Sequence, residues 1–285
     1  MSIRAAALGA LVLAAAAPAA HADECSTALI TAAASADNRP LLWKNRDTDH
    51  LANRVAFVAD QPYSYLGLVD ADDASGRRVW TGLNSTGLAI FNTVAYNLPK
   101  KPEEAVDLEG GIMADALRTC RSVADFEAYL KANQGRALGS QANFGVMDAA
   151  GGAAVFESHN HGYTRLDAAA APEKYLIVTN FSRSGPEGKG KGYIRFERLQ
   201  ELFSQNPSGK YSLTDILAKF SRDLSNPMLD AKPGRFISTL HTIDRGSTAA
   251  AAVVQGASPA RPHNTFWVLL GEPVTGIAVP LWVEA

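Results

Sequence analysis

The sequence predicts an α+β fold of stacked α and β layers. β-Hairpin patterns open the chain, helical stretches with capping residues follow, and strand patterns return at the end. Separate runs of strands and helices are typical of layered α+β architectures. With 285 residues, 47% hydrophobic and 20% charged, the chain has enough apolar material for a large core, which excludes disordered and collagen-like proteins.

Alternating apolar residues and turn signals define the predicted strands. Asn84-Ser85-Thr86-Gly87 separates one pair of strand patterns, and an Ala-Ala-Gly-Gly turn separates another. Both pairs are predicted to be hairpins. The strand patterns cover residues 28–31, 41–44, 79–83, 88–92, 144–148, 153–157, 249–254, 266–270 and 277–283.

Four stretches have apolar residues at helical spacing. Two of them open with a capping pattern, Ser122-x-x-Asp125 and Ser212-x-x-Asp215, which marks a helix N-terminus. The predicted helices cover residues 111–118, 122–131, 193–204 and 212–224.

The first 22 residues have the pattern of a secretory leader. Arg4 precedes an apolar run over 5–17, and the segment ends on Ala20-His21-Ala22. The apolar run is too short to span a bilayer. Asp23 and Glu24 exclude a lipoprotein anchor, which needs small residues directly before the cysteine.

We therefore expect a periplasmic or secreted protein without a membrane anchor. Its predicted parts are a signal peptide over 1–22, a short propeptide over 23–24 and a single domain over 25–285. The net charge of −2 and the pI near 6.3 lack the basic surface that nucleic-acid binding requires, so a small-molecule substrate is favoured. Association of several copies of the chain stays open.

The chain has two cysteines, Cys25 and Cys120. In an exported protein a disulfide between them is one expectation. Cys120 lies near the end of an apolar helical stretch, which favours a buried small hydrophobic residue instead. Cys25 follows the leader almost directly, which makes it the candidate nucleophile.

A thiol attacks an amide as the thiolate, so Cys25 needs a nearby base. No histidine has a papain-like sequence context. The chain's own α-amino group, with an ordinary pKa of about 7.7 to 8.0, suits proton transfer at neutral pH. That base requires Cys25 to be the first residue, and hence a second cut between Glu24 and Cys25.

Several segments resemble the N-terminal-nucleophile hydrolases that cleave linear amides. This family includes choloylglycine hydrolases, penicillin V acylases and acyl-coenzyme A:isopenicillin N acyltransferases. The matching segments are Cys25-Ser26-Thr27, Trp43-Lys44-Asn45-Arg46-Asp47, 82–92, Val155-Phe156-Glu157, Val178-Thr179-Asn180-Phe181 with the helix that carries Arg195 and Arg198, and Arg235-Phe236.

The resemblance implies a role for each of five residues. Cys25 would be the nucleophile and Asp47 the carboxylate that holds its α-amino group. Asn92 would donate to the oxyanion, Asn180 would orient the substrate or share that work, and Arg235 would stabilise charge near the thiol. Fixed amide donors suit this chemistry because they stabilise the negative oxygen of a tetrahedral intermediate.

The supporting residues are less defined. The family often has Gly-Arg-Asn-x-Asp where this chain has Trp43-Lys44-Asn45-Arg46-Asp47, so Lys44 or Arg46 would be the active-site cation. Lys44 stands at the position of the family's arginine, which favours it as the active-site cation. Arg46 would then be a structural ion-pair partner. Tyr63, Tyr65 and Phe181 are expected to shape the substrate pocket.

The resemblance also implies a four-layer αββα sandwich with antiparallel sheets. Its chemistry needs no metal or organic cofactor: an acyl-enzyme forms on Cys25 and water releases the acid. The substrate would be a small N-acyl amide of undetermined identity. The alternatives are acyl transfer to an amine through the same acyl-enzyme, and a non-catalytic protein with a Cys25–Cys120 disulfide.

Overall fold

The computed structural model describes residues 24–99, 108–134, 141–225 and 239–284. Two antiparallel sheets form its centre. One has six strands in the order β10-β1-β2-β11-β12-β13, and the other has seven strands in sequence order from β3 to β9. The strands are β1 Ser26–Ile30, β2 Leu41–Asp47, β3 Asn53–Val58, β4 Tyr65–Asp70, β5 Val79–Asn84, β6 Ala89–Val94, β7 Ala142–Met147, β8 Ala153–His159, β9 Gly162–Asp167, β10 Tyr175–Val178, β11 Thr248–Gln255, β12 Thr265–Leu270 and β13 Val279–Leu281.

The sheets pack face to face, and helices cover their outer faces. Three helices in the described residues are regular: α1 Glu109–Thr119, α2 Val123–Asn133 and α3 Tyr193–Ser204. An apolar cluster between the sheets includes Leu42, Phe91 and Phe266. A second cluster joins α1 and α2 to the seven-stranded sheet, and a third joins α3 to the six-stranded sheet. This is the predicted αββα sandwich.

Most predicted elements are confirmed, and α3 has the predicted bounds. Ser122 caps α2 by accepting a hydrogen bond from the Asp125 N–H at 3.1 Å, as its capping pattern indicates. The predicted helix over 212–224 is irregular, with a π-helical turn at Asp215–Lys219 followed by a 3₁₀ turn at Phe220–Arg222.

The last predicted strand, over 277–283, shortens to the edge strand β13 at Val279–Leu281. Pro280 lies within it, and proline has no N–H to donate to a further strand. Four strands were not predicted: β3, β4, β9 and β10. β3 and β9 are the two edges of their sheet, and the burial of their residues is incomplete.

The central strand β2 changes character along its length. Leu41, Leu42 and Trp43 are apolar, whereas the next four residues, 44–47, are polar or charged, and the whole strand is buried. Buried charges are costly unless they are paired and hydrogen-bonded. The second half of β2 therefore marks a place where charged partners from other elements must converge.

Candidate active site

Strand register determines which residues surround Cys25, which directly precedes β1. The pairing of Ser26 with Asn45 places Cys25 opposite the polar end of β2. The pairing of Thr27 with Val178 places it opposite the residues that follow β10. The nucleophile candidate thus lies between two segments that are distant in sequence.

Two side chains hold the main chain of Cys25. Its N–H donates to Asn180 Oδ1 at 2.8 Å, and its carbonyl oxygen accepts from Arg195 Nη1 at 2.6 Å. Arg195 Nη2 also donates to Asn180 Oδ1 at 2.8 Å, while Asn180 Nδ2 donates to the Val94 carbonyl at 3.0 Å. Cys25 itself is buried. A hydrogen-bonded frame therefore holds the main chain that carries the thiol.

Asp47 is a buried carboxylate beside this frame. Thr248 Oγ1 donates to Asp47 Oδ1 at 2.6 Å, and Arg245 Nη1 donates to Oδ2 at 3.3 Å. Burial raises the pKa of Asp47 to about 6, and the charges of Arg195 and Arg245 oppose that rise. The pKa of Asp47 is thus well above the ordinary value of an aspartate.

Glu24, the residue before Cys25, also belongs to this group of charges. Its Oε2 accepts from Arg195 Nη2 at 3.0 Å and from Arg245 Nη1 at 3.1 Å. Lys191 Nζ lies 3.8 Å from its other oxygen. Glu24 therefore belongs to the same group of buried charges as Arg195 and Arg245.

On the other side of the cleft, Lys44 and Asn92 form a hydrogen-bonded chain. Lys44 Nζ donates to Asn92 Oδ1 at 2.6 Å and to the Trp80 carbonyl at 2.9 Å. Asn92 Nδ2 donates to the buried carboxylate of Glu109. Because an ammonium group only donates, the Asn92 oxygen must face Lys44 and its NH₂ group must face Glu109.

Arg46 lies in the same cleft and is held separately. It forms a buried ion pair with Asp70, with Nη2 to Oδ1 at 2.7 Å, and its guanidinium group lies 4.6 Å from the centre of the Trp80 ring. Lys44 and Arg46 both line the cleft, together with Cys25, Asp47, Trp80, Asn92, Val94 and Glu109.

Comparisons with known proteins address the fold. No protein-family model matches the chain, and no curated protein matches it. An ortholog of N-acylethanolamine-hydrolyzing acid amidase from Caenorhabditis elegans superposes with a TM-score of 0.52 at 14% identity, over 83% of this chain and 95% of that one. A mutant conjugated bile acid hydrolase from Clostridium perfringens superposes with a TM-score of 0.54 at 12% identity, over 90% and 92%.

The chain has the N-terminal-nucleophile hydrolase fold. In this fold the strand that follows Cys25 lies inside the six-stranded sheet, between β10 and β2. The resemblance seen in the sequence is thereby confirmed at the level of the fold.

Among the predicted site residues, Cys25, Lys44, Arg46, Asp47 and Asn92 line one cleft. Asn180 adjoins it through its hydrogen bond to Cys25. Arg235 lies outside the described residues.

The aromatic residues predicted to shape the pocket are placed differently. Tyr65 is fully buried in the core between the seven-stranded sheet and its helices, and its hydroxyl donates to the Gly76 carbonyl at 3.1 Å. Tyr65 is thus not among the residues that line the cleft around Cys25, and its expected part in shaping the substrate pocket stays a prediction. Tyr63 is partly buried in the segment before β4. Phe181 stacks on Tyr193 with ring centres 4.4 Å apart.

Four residues of the site were not singled out for a role by sequence reasoning: Glu24, Glu109, Arg195 and Arg245. Arg195 has a sequence signal only as part of the helix that resembles the family. Arg245 lies in the segment before β11 and has no local motif around it. Being charged and surrounded by polar residues, it resembles a solvent-exposed loop residue, yet it is buried.

Cys120 plays no part in the site. Neither Cys25 nor Cys120 forms a disulfide, so the alternative of a Cys25–Cys120 bridge is wrong. Cys120 lies in the core beside α1 and α2, and burial raises the pKa of its thiol to about 11. A thiol in such an apolar position is unreactive.

No group of three or more histidine, cysteine or carboxylate side chains suited to a metal ion occurs within the described ranges. Those ranges also contain no helix long and apolar enough to cross a membrane.

Proposed function

We propose that the chain is an exported cysteine amide hydrolase of the acylase type, which cleaves a linear carbon–nitrogen amide bond of a small N-acyl substrate. Cys25 is the nucleophile and carries the acyl-enzyme. The observation that supports this most is the placement of Cys25 at the start of an internal strand, with its main chain held by Asn180 and Arg195 and its side chain in a cleft lined by charged groups.

Activation requires a cut between Glu24 and Cys25. After removal of the leader, the Cys25 thiol attacks the carbonyl carbon of Glu24. A carbon–sulfur bond forms, the carbon–nitrogen bond breaks, and the thiol proton ends on the released amine. Water then cleaves the thioester, which releases the propeptide acid and regenerates the thiol. The contacts of Glu24 with Arg195 and Arg245 hold the acyl side of this bond in place.

The freed α-amino group then acts as the base for Cys25. Asn180 Oδ1, which accepts the Cys25 N–H in the uncut chain, remains in position to orient the amine. Two buried guanidinium groups and the carboxylate of Asp47 set the charge around that amine. Asn92 donates to the oxyanion of the tetrahedral intermediate, and water hydrolyses the acyl-enzyme.

Intact-mass measurement of purified variants tests the proposal. The wild-type chain should start at Cys25 and hydrolyse at least one member of a panel of N-acyl amides. Cys25→Ala should keep Glu24 and have no turnover. Cys120→Ala, the matched control, should start at Cys25 and keep its activity, because Cys120 lies in the core.

Adding hydroxylamine to the wild-type reaction should divert the acyl group to a hydroxamate, which shows an acyl-enzyme. A wild-type chain that keeps Glu24, or a Cys25→Ala variant that still hydrolyses the same amide, would contradict the proposal.

A further inference from the structure

The carboxylate of Glu24 lies in a built anion site. We define the Glu24 site as Arg195 on α3, Arg245 before β11 and Lys191 in the loop before α3. Arg195 and Arg245 each place a guanidinium nitrogen 3.0 to 3.1 Å from Glu24 Oε2, and Lys191 approaches Oε1 at 3.8 Å. Two cations from α3 and the loop before it, and a third from the segment before β11, therefore surround one carboxylate.

Burial makes this site specific for an anion. The side chains of Arg195 and Arg245 are only 1% and 5% exposed. A buried cation is stable only when it is paired and hydrogen-bonded. Asp47 forms an ion pair with Arg245. The Glu24 carboxylate accepts hydrogen bonds from both arginines and so bridges them.

Removal of Glu24 changes the charge balance. The mature site retains the two arginines, Lys191 and Asp47. The cut also creates a new charged group, the α-amine of Cys25. The mature site consequently keeps its cations and loses the carboxylate that bridged them. Each guanidinium group also has an Nε–H that is buried without an acceptor among the described residues. An incoming carboxylate would replace the one that leaves with Glu24, and these Nε–H groups are further donors that it could use.

The position of that carboxylate relative to the reacting bond is set by the covalent structure of glutamate. The carbonyl carbon of Glu24 is the one that Cys25 attacks in the proposed self-cleavage. From this carbonyl to the side-chain carboxylate, Glu24 has the carbon chain of a glutaryl group. The Glu24 site thus binds a carboxylate on the acyl side of the bond, at the distance that a glutaryl chain spans.

We propose that, in the mature enzyme, the Glu24 site binds a carboxylate at the far end of the substrate's acyl group. The substrate class is then amides of short dicarboxylic acids, with glutaryl amides fitting best. This inference rests on the proposed function, since it assigns the acyl group of the same reaction. The propeptide residue occupies the place of the acyl chain and leaves when Cys25 is exposed.

Matched p-nitroanilides test the inference. Glutaryl-p-nitroanilide should be cleaved with a kcat/KM roughly 10- to 100-fold above that of pentanoyl-p-nitroanilide, which has the same chain length without the charge. The succinyl and adipyl anilides should fall below the glutaryl compound. Free glutarate should inhibit competitively, and pentanoate at the same concentration should not.

Variants link this preference to the Glu24 site. Arg245→Gln and Lys191→Gln should lower the ratio of glutaryl to pentanoyl kcat/KM, and Arg245→Gln should lower it more because Arg245 touches Glu24 directly. Arg198→Gln is the control, because Arg198 lies on α3 but pairs with Asp223 and Glu201. It should leave the ratio unchanged.

The outcomes separate the two proposals. Equal or better cleavage of the pentanoyl anilide, without inhibition by glutarate, would overturn the inference and leave the amide hydrolase intact. So would a preference for N-pentanoyl glutamate over the glutaryl anilide, because it would place the carboxylate on the leaving amine. Absence of any amide cleavage by chains that start at Cys25 would instead overturn the proposed function.

Discussion

At the residue scale, the neighbours of Asn92 determine how its side-chain amide is oriented and which of its N–H donors can face the cleft. Its side-chain oxygen accepts a hydrogen bond from Lys44, and one hydrogen of its NH₂ group is donated to Glu109. A primary amide has two N–H donors. The second one is the donor that Asn92 can offer to an oxyanion in the cleft, and Lys44 and Glu109 prevent the amide from turning around.

Replacement of Asn92 by alanine should therefore lower kcat by roughly 100- to 1,000-fold, because one oxyanion donor is lost. KM should change much less, since the donor acts mainly in the transition state. Steady-state kinetics on the substrate found in the amide panel measure both values. Asn206→Ala is a suitable control, because the Asn206 side chain bonds within an exposed turn. An unchanged kcat in Asn92→Ala would exclude the oxyanion role.

At the element scale, strand pairing brings the site together, and close packing between the sheets fixes the strands. β6 and β7 pair so that Phe91 lies opposite Gly145. A Cβ atom added at Gly145 would lie 2.2 Å from the Phe91 ring. Phe91 belongs to the apolar cluster between the two sheets, and its neighbour Asn92 faces the cleft.

Gly145→Ala should consequently lower the free energy of unfolding by about 1 to 3 kcal/mol, because the Phe91 ring must move. Gly111→Ala is the matched control: Gly111 is exposed in α1, and an added Cβ would meet nothing within 4 Å. It should raise stability by about 0.5 to 1 kcal/mol, because alanine favours the helix. Urea unfolding of the variants measures both effects, and a neutral Gly145→Ala would contradict the packing argument.

At the scale of the whole molecule, the sandwich buries carboxylates whose ionisation affects its stability. Burial raises the pKa of Asp47 to about 6 and that of Asp244 to about 7, from an ordinary value of 3.8. A folded-state pKa above the unfolded value means that the folded chain binds the proton more tightly. The stabilising contribution is complete below the unfolded pKa and is lost as the pH rises through the folded one.

The uncut Cys25→Ala chain should therefore lose stability between pH 4 and pH 7. Adding Asp47→Asn removes one titrating group and should make this decline shallower, by at most about 3 kcal/mol over that range. Thermal or urea unfolding across the pH range measures the slope. Asp72→Asn serves as the control, since its side chain is 78% exposed. Parallel slopes with and without Asp47 would contradict the shift.

Local patterns in the sequence determined much of this protein. Residue alternation and turn chemistry predicted most of the strands, and helical spacing predicted α3 with its observed bounds. The leader pattern predicts that Cys25 lies near the start of a mature chain. These features depend on neighbouring residues, so they can be deduced without knowing the fold. The order of Cys25, Asp47, Asn92 and Asn180 carried the resemblance to a family whose fold the structure confirms.

Only the tertiary structure decided which charges meet at Cys25. Arg245 reaches Glu24 across 221 positions of sequence, and Cys25 meets Asn180 across 155. The tertiary structure also determines that Tyr65 lies in the core and that Cys120 does not form a disulfide with Cys25. Such contacts depend on strand register and on the packing of the sheets. An arginine in a loop has the same local sequence signal whether it faces water or binds a buried carboxylate, because its burial is set by distant segments.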